Sequence, residues 1–583
     1  MAGLVACNQD QEKGFWDRIC KLLPEVSVTA GAVEQETSLN LDGVIRILDC
    51  CYNNLPGYLK TCLLYLAIFP KGWKISRKCL SRRWISEGFV SEKQGLTAEE
   101  VAESYFNHLL RRKFIRPVEH SSNGKLKTFQ VHDMVLDYIV SKAREENFIT
   151  VVGGHLMIPA SSNNKIRRLS IQSSSSKHGD STNGKNLSQV RSLTIFRSLT
   201  QMSFQTFNNR IIQVLDIQGL KAFKNKHMNY ICEMLVLKYL CLRGTGITEI
   251  PSRIGKLEYL ETLDIRETDV EELPKAVQQL KLISSILGGN KNPRKGLRLP
   301  QEKNRKQPKS MLAQDKEKEG MIALRILSGI EINEAIAIEG LHRFTGLKKL
   351  TIYNLNIVEG DNKMEIFKEL LSSIEYLCSC GLQTLSINDK DSQFINKLDD
   401  MSAAPRYLIA LELSGKLKKP PEWLSNLQTL NKLTLPVTVL RTDTFKLIHA
   451  LPLFSLTFLW NAENQDENIT KTLEENKSQS DGEIIVPQGF KSLKLLRFFA
   501  PRLPKLGFWD NAMPALEMIE MQFQAFEGLF GIDTLENLKW VRLREAKLGE
   551  RDKEATEINK LLVDNLKDST QELKVIVDHT FTS

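Results

Sequence analysis

Hydrophobic positions recur along this chain at two different periods, and the change from one to the other divides it. Up to about residue 150 the spacing is helical. Leu41, Val44, Ile45 and Leu48 follow the i, i+3, i+4, i+7 rule and predict an amphipathic helix. "LPGYLKTCLLYLAIFP", from Leu55, opens on a Pro-Gly break and closes at Pro70; its middle is apolar all round, which predicts a buried helix. "SRKCLSRRWISEGFV" predicts another, with Ser76 as its cap. In "TAEEVAESYFNHLLRRKF" Thr97 and Glu100 have capping-box spacing, and Ala98, Val101, Ala102, Tyr105, Phe106, Leu109 and Leu110 make one apolar face. "FIRPVE" from Phe114 and "LKTFQV" from Leu126 flank an Asn123-Gly124 turn signal and predict a hairpin. A helix from about Asp133 to Glu145 follows. Helices, hairpin and closing helix together predict a winged-helix-like module over 41–150. A shorter segment, 1–40, precedes it and has one amphipathic candidate, "FWDRICKLL" from Phe15.

From about Ile166 the period shortens. "LKYLCLRGTGITEIPSRIGKLEYL" and "LETLDIRETDVEELPKAVQQLKLI" are copies: Leu240 maps to Leu263, Leu242 to Ile265, Ile247 to Val270 and Pro251 to Pro274, each 23 residues on. This is the LxxLxL leucine-rich-repeat pattern. Looser copies centre on Leu169, Leu193, Leu215, Leu350, Leu385, Leu411, Leu433, Leu456, Leu496, Ile519 and Val541. Each short strand needs neighbours to cover its leucines, so a solenoid is predicted over 151–583, with parallel strands on its concave side. The expected class is α/β, a winged-helix-like α-rich module followed by a leucine-rich-repeat solenoid. Three polar segments interrupt the pattern, from Ser173, Lys291 and Asn464. The second, "KNPRKGLRLPQEKNRKQPK", holds eight basic residues and one acid and is expected to be a solvated inter-repeat loop. The tail is expected to be a capping helix and the strand "LKVIVD".

Composition changes this picture little. The apolar fraction is 42% and the charged fraction 26%, as in a soluble folded chain, and a net charge of +9 over 583 residues implies no particular acidic partner. The ten cysteines form no CxxC pair and mostly sit in apolar runs, which favours buried thiols in a reducing compartment. The first residues lack a signal-peptide pattern, and no apolar run reaches bilayer length, so no membrane span is expected. No P-loop, GxSxG, HExxH, GxGxxG or EF-hand pattern occurs, and the nine histidines lack metal-ligand spacing. The chain is not expected to be an enzyme, to hold a metal or to bind nucleic acid; the expected compartment is the cytoplasm, with the nucleus second.

One short stretch remains. In "GKLKTFQVHDMVLDYIV" a strand hands over to a helix through Val131, His132 and Asp133. On the residues alone this is a helix start, with Asp133 suited to the cap. A ring donor at a helix N-terminus would also suit an anion.

In order along the chain, these pieces resemble the end of the nucleotide-binding region of plant intracellular immune receptors. Those are the NB-ARC leucine-rich-repeat (NLR) proteins, here most similar to the coiled-coil class of grasses. "LPGYLKTCLLYLAIFP", "LSRRWISEGFV" and "AEEVAESYFNHLLRRKFIRP" look like successive family segments. "FQVHDMVLDYIV" looks like the MHD motif with Val131 in the methionine place, and the repeats at 240–274 match closely. The resemblance implies that residues 1–40 are a remnant of the preceding helical subdomain and that the chain starts after the family's P-loop. It would then be a natural short gene or an incomplete gene model. It further implies that His132, with Val131 and Asp133 around it, descends from a latch contacting the phosphate of ADP. No cofactor is expected in this chain itself, ADP or ATP belonging to full-length relatives. The implied role is a fragment of an immune receptor whose protein partners are a pathogen effector, a guarded host protein or another NLR. The alternative is an F-box/LRR adaptor of a ubiquitin ligase, since "LPGYLKTCLLYLAIFPKGWKISRKCLSRRW" has a superficial F-box look. A DNA-binding winged helix, through "RKCLSRRW", is a third reading. For a protein ligand, the outward positions are expected to be Lys238, Cys241, Arg243, Thr262, Asp264, Arg266, Lys432, Thr434 and Pro436. Trp423, Phe458, Trp460, Phe498, Phe499 and Trp540 are the expected interface anchors.

Overall fold

The computed structural model describes residues 36–93, 95–120, 126–153, 166–172, 188–196, 211–291, 294–300, 321–339, 341–357, 360–390, 392–460, 468–480, 482–545 and 574–578. The candidate helix at Phe15, the Asn123-Gly124 turn, the serine-rich segment from Ser173 and the tail helix lie outside these residues. By contacts the chain forms two units, the first holding the winged module with the repeats up to Asp264, the second the repeats from Ile265 onward.

The first unit opens with α1 (Glu36–Asn53) and α2 (Gly57–Leu64). The stretch expected as one buried helix changes pitch at Tyr65 and ends as a 3₁₀ turn, Tyr65–Ile68. Pro70 explains the stop. Its ring forbids helical backbone at the residue before it, and Phe69 is extended at φ −88°, ψ 141°. Every side chain from Cys62 to Phe69 is buried. On α1, Leu48 packs against the core but Ile45 is 40% exposed, so the expected stripe is only partly used.

β1 (Ile75–Ser76) leads directly into α3 (Arg77–Ser86). Ser76 is the N-cap by backbone position but makes no side-chain cap bond, because strand pairing with Thr128 already fixes it. α4 (Ala98–Arg111) has the capping box foreseen: the Glu100 N–H donates to Thr97 Oγ1 at 3.3 Å, and the Thr97 N–H donates to Glu100 Oε2 at 2.9 Å. Thr97→Ala is therefore expected to cost about 1 kcal/mol, read from a urea unfolding midpoint. β2 (Ile115–His120) and β3 (Leu126–Val131) pair antiparallel, with β1 on the far side of β3. Pro117, which has no N–H to donate, is tolerated because β2 is an edge strand, and the register shifts just after it. α5 (Asp133–Glu145) closes the module and buries Leu136, Tyr138, Ile139 and Ala143.

The repeats follow as β4 (Thr150–Val152), β5 (Arg168–Ile171), β6 (Ser192–Ile195), β7 (Val214–Asp216), β8 (Tyr239–Cys241) and β9 (Thr262–Asp264), all parallel in chain order. The leucine pattern is the hydrogen-bond register itself: Leu169, Leu193, Leu215, Leu240 and Leu263 are successive pairing partners, each nearly or fully buried.

In the second unit the same ladder runs through Ile286, Leu327, Leu350, Leu385, Leu411, Leu433, Leu456, Leu496, Ile519, Val541 and Val575. Ile286, Leu327 and Val575 are rungs the pattern alone did not single out. Part of the basic segment is not a loop. Asn290–Lys291 and Arg294–Lys295 form a small hairpin, and Leu297–Arg298 pairs with Ile330 and Glu331. Leu297 and Leu299 are buried, while Lys295 and Arg298 are paired with Glu271. Beside it, Gly329 sits at φ +81° where a β-carbon would collide with the Gly288 carbonyl, and the register shifts between Ser328 and Ile330 as a bulge. Helices between the repeat strands had not been foreseen, the two longest described being Lys363–Ser379 and Asn468–Gln479.

Candidate functional site: the His132 turn and the covered repeat face

β3 ends on Val131, which is buried and pairs with Ile115. His132 is the N-cap of α5, extended at φ −64°, ψ 140°. Its Nδ1 accepts the Met134 N–H at 3.4 Å and its carbonyl accepts the Leu136 N–H at 2.9 Å. This corrects the expectation that Asp133 caps the helix. The imidazole, one residue earlier on extended backbone, reaches the N–H two residues on, as an N-cap does. Asp133 is then the first helical residue, an acid in the first turn, where the helix dipole favours it. His132, Asp133 and Met134 are all exposed. With Nδ1 accepting, the ring proton belongs on Nε2, which is a donor on the exposed side. His132→Ala removes one long cap bond and is expected to cost no more than about 1 kcal/mol in a urea melt. A loss of several times that would make the ring a structural element.

A second constellation lies where α3 meets the open face of β6–β8. The Arg83 side chain is 0% exposed and Asp216, on β7, 2%. Their atoms meet at 2.8 Å (Arg83 Nη1 to Asp216 Oδ2). Arg83 Nε donates to Tyr65 Oη at 3.0 Å, and its remaining amino group donates to Thr194 Oγ1 on β6. The guanidinium lies over three rings, 5.3 Å from Tyr65, 5.6 Å from Phe69 and 6.0 Å from Tyr239. Two cysteines flank the pair. Cys79 Sγ of α3 is 3.1 Å from Tyr239 Oη, and Cys241 on β8 is the strand partner of Asp216. Burial pushes the Asp216 carboxyl up, while the Arg83 guanidinium pulls it down; burial also pushes both thiols up and so keeps them protonated.

Around this centre the seam continues. Ser86 Oγ donates to Glu261 at 2.9 Å, and Arg168 Nε donates to Glu87 at 2.8 Å while lying over Phe89 and Phe148. Ser170 Oγ donates to the Ile68 carbonyl at 2.6 Å, and Phe196 packs edge-on against Phe69 and Trp73. Chemically the arrangement is a dry polar lock set in aromatic rings. It makes the winged module and the first repeats one body.

Several expectations change as a result. Cys241, Thr262 and Asp264, expected to face outward for a ligand, are buried; Lys238, Arg243 and Arg266 are half-buried. The basic helix of the third, DNA-binding alternative uses Arg77 and Arg83 internally: Arg77 is 7% exposed and paired with Glu103, and Arg83 forms the lock. Among the expected anchors, Phe458 and Phe498 stack on each other inside the core, 5.7 Å apart and 6° from parallel, because they occupy the last apolar position of their repeats. Trp423 is buried too, its Nε1 donating to the Leu398 carbonyl at 2.6 Å. Thr434 and Pro436 are buried, Lys432 half-buried, and Trp460, Phe499 and Trp540 keep partly exposed surfaces. Among the described residues no group of three or more His, Cys, Asp and Glu side chains could hold a metal, and no helix is long and apolar enough to cross a membrane.

Arg83 and Asp216 were not singled out from the sequence. Asp216 follows a ladder leucine in the same place as Cys241 and Asp264, and Arg83 is one of several basic residues in α3. Neither carries a mark of its partner 133 residues away.

Comparison with known proteins agrees with both halves. Residues 189–571 match the family model for a leucine-rich repeat region, and residues 68–139 match that for a disease resistance protein winged helix domain. The latter takes in much of the segment compared above with an F-box. Disease resistance protein Pik-2 of Oryza sativa subsp. japonica is 61% identical over 606 positions, covering 100% of this chain and 58% of the relative. Disease resistance protein PIK6-NP of the same plant is 61% identical over 605 positions, covering 100% and 56%. Disease resistance protein RGA4, also from rice, is 30% identical over 507 positions, covering 85% and 47%. The chain thus spans a little over half the length of the first relatives it matches. A winged-helix module of the disease resistance type, followed by and locked onto leucine-rich repeats, places this chain in the plant NLR disease resistance protein family.

Proposed function

We propose that the chain acts in plant defence as the winged-helix and repeat portion of an intracellular immune receptor, recognising or scaffolding proteins through its repeats. The observation that carries this reading is the 61% identity along the whole chain to rice disease resistance proteins. The partners are proteins: a pathogen effector, a host protein under guard, or another receptor of the family. The compartment is the cytoplasm or nucleus. Deleting the gene in its own plant and challenging with a panel of pathogen isolates tests the role. Loss of resistance to at least one isolate supports it, and unchanged resistance across the panel removes it.

His132 is proposed as a phosphate contact for ADP in longer family members. Its exposed Nε2 donor at the start of a 13-residue helix suits one phosphate oxygen. Residues 36–153 can be grafted into full-length Pik-2 and the protein denatured for nucleotide analysis. His132→Ala is expected to lower retained ADP at least tenfold relative to the graft alone; equal retention excludes the contact.

A further inference from the structure

Beside the ladder, the second unit builds a smaller sheet from the strands Glu483–Val486, Lys505–Phe508 and Leu529–Phe530, parallel and in register. Ile484, Val486, Leu506 and Phe508 point inward and are at most 4% exposed. Alternation turns Ile485, Gly507 and Phe530 to the other face. Gly507 has no side chain, and the Phe530 ring takes the place that a β-carbon would fill. Trp509 extends the middle strand by one residue, its N–H donating to the Val486 carbonyl at 3.2 Å.

Trp509 is 58% exposed, while every other described tryptophan is buried or half-buried. With half-buried Ile485, Pro487 and Phe530 it makes an apolar strip on the outer face of this sheet. A tryptophan so placed is an interface anchor by type. It offers a large, rigid apolar area at little cost in side-chain entropy, and it dominates the residues that carry binding energy between proteins.

The strip also shows which charge its occupant carries. The Lys505 ammonium lies 4.9 Å from the centre of the Phe530 ring and forms an ion pair with Glu483. A ring, a cation and a carboxylate are thus assembled from three neighbouring strands. Four residues along from Lys505, Trp509 and Asp510 repeat the ring and the carboxylate, and both are exposed. Among the described residues no cation pairs with Asp510 or lies over the Trp509 ring. The third member of the set is left for an occupant to bring.

We propose that this face docks a segment of a partner protein that sets an arginine or lysine between the Trp509 ring and the Asp510 carboxylate and lays an apolar side chain over Ile485 and Phe530. The ring supplies apolar area and cation–π attraction, and the carboxylate selects the sign of the charge. An exposed ion pair contributes little by itself, so most of the affinity comes from covering Trp509. A nucleic acid fits poorly, since its phosphates would meet the Asp510 and Glu483 carboxylates. The inference rests on the reading that the repeats recognise protein, and its test separates the two.

In solution the full chain is titrated at low salt with two labelled 12-residue peptides and with 12-nucleotide oligothymidine. The peptides share a Leu-Phe centre flanked by Arg in one and by Asp and Glu in the other. The chain's net charge of +9 favours the acidic peptide in bulk, so a preference for the basic one reports the local site. The basic peptide is expected to bind at least tenfold tighter than the acidic one. Trp509→Ala is expected to weaken it at least tenfold, and Asp510→Lys to remove the preference. Both positions are exposed, and a melting temperature matched to wild type shows that each variant is folded. Equal or undetectable affinity for the peptides, an acidic preference, tighter binding of the oligonucleotide, or a folded variant that binds as the wild type does, overturns the proposal. In the gene-deleted plant, the wild-type gene is reintroduced beside the Trp509→Ala variant at matched protein abundance. The variant is expected to leave resistance at least tenfold below the wild-type complement, scored as pathogen growth. Full restoration by the variant overturns the surface while the immune role stands, whereas no loss on deletion removes the role itself.

Discussion

Replacing Arg83 by alanine is expected to destabilise the first unit by about 3–5 kcal/mol, because the buried Asp216 carboxyl is left without its cation. The size follows from the geometry. Both side chains are essentially fully enclosed, the guanidinium has three hydrogen-bond acceptors, and the rings of Tyr65, Phe69 and Tyr239 close off solvent. The pair itself need not be worth that much. Replacing both partners, Arg83→Met with Asp216→Leu, removes the buried charges together and is expected to cost far less than the single change, since apolar replacement of a buried pair is often neutral. Guanidinium unfolding of the wild type, Arg83→Met, Asp216→Leu and the double variant gives the coupling energy directly. If Arg83→Ala costs under about 1 kcal/mol, the lock is weaker than its burial implies. The cysteines supply a second readout. Cys79 and Cys241 belong to this seam, so their modification by a thiol reagent should accelerate in Arg83→Ala at a denaturant concentration where the wild type is protected.

Leu263→Ala should cost on the order of 2–5 kcal/mol, the usual range for emptying a fully buried leucine site. Leu263 is 0% exposed and pairs directly with Leu240 on the preceding strand. Repeats are coupled chiefly to their neighbours, so the loss should appear first as faster hydrogen exchange in β8 and β9. The module lock qualifies this locality. Glu261, just before β9, accepts from Ser86 on α3, so exchange in α3 should rise as well. Acceleration spread evenly over the chain, or none, would contradict nearest-neighbour coupling.

These two sites differ in how readable they were. The ladder was legible because an apolar residue recurring every 22 to 25 positions over several repeats has no cheaper explanation, and the rungs so spaced, Leu169, Leu193, Leu215 and Leu240 and again Leu411, Leu433 and Leu456, pair in that order. The capping box at Thr97 and the limits of α5 were equally local signals. Failures arose where a contact joined distant segments or where polarity misled. A basic run from Lys291 looked like loop because charge dominates it, yet Leu297 and Leu299 are enough to pin it to the core. The helix Asn468–Gln479 is polar on most sides and is anchored by Leu473 and by Asn476, which donates to the Thr438 carbonyl. Cys241 and Asp264 occupy open-face positions in their repeats, and only the docked module decides that they are covered. At the His132 turn the start of the helix was legible, but the cap was placed one position too late, because imidazole is a rarer cap than carboxylate.

The spacing of the ladder has a consequence for how such a chain can change over generations. Leu433 and Leu456 are 23 residues apart, whereas Leu456 and Leu496 are 40 apart, and both pairs meet in the same parallel register. The strands fix the distance between rungs, and the longer connection finds room for the helix Asn468–Gln479, whose Asn476 donates to the Thr438 carbonyl. Lengthening a connection from 23 to 40 residues costs only about 0.5 kcal/mol in closure entropy. Insertions between leucines are therefore nearly neutral to folding, while substitutions at the leucines are not. Natural variation can accumulate in the spacers and remodel the flank of the protein without disturbing the rungs that hold it together.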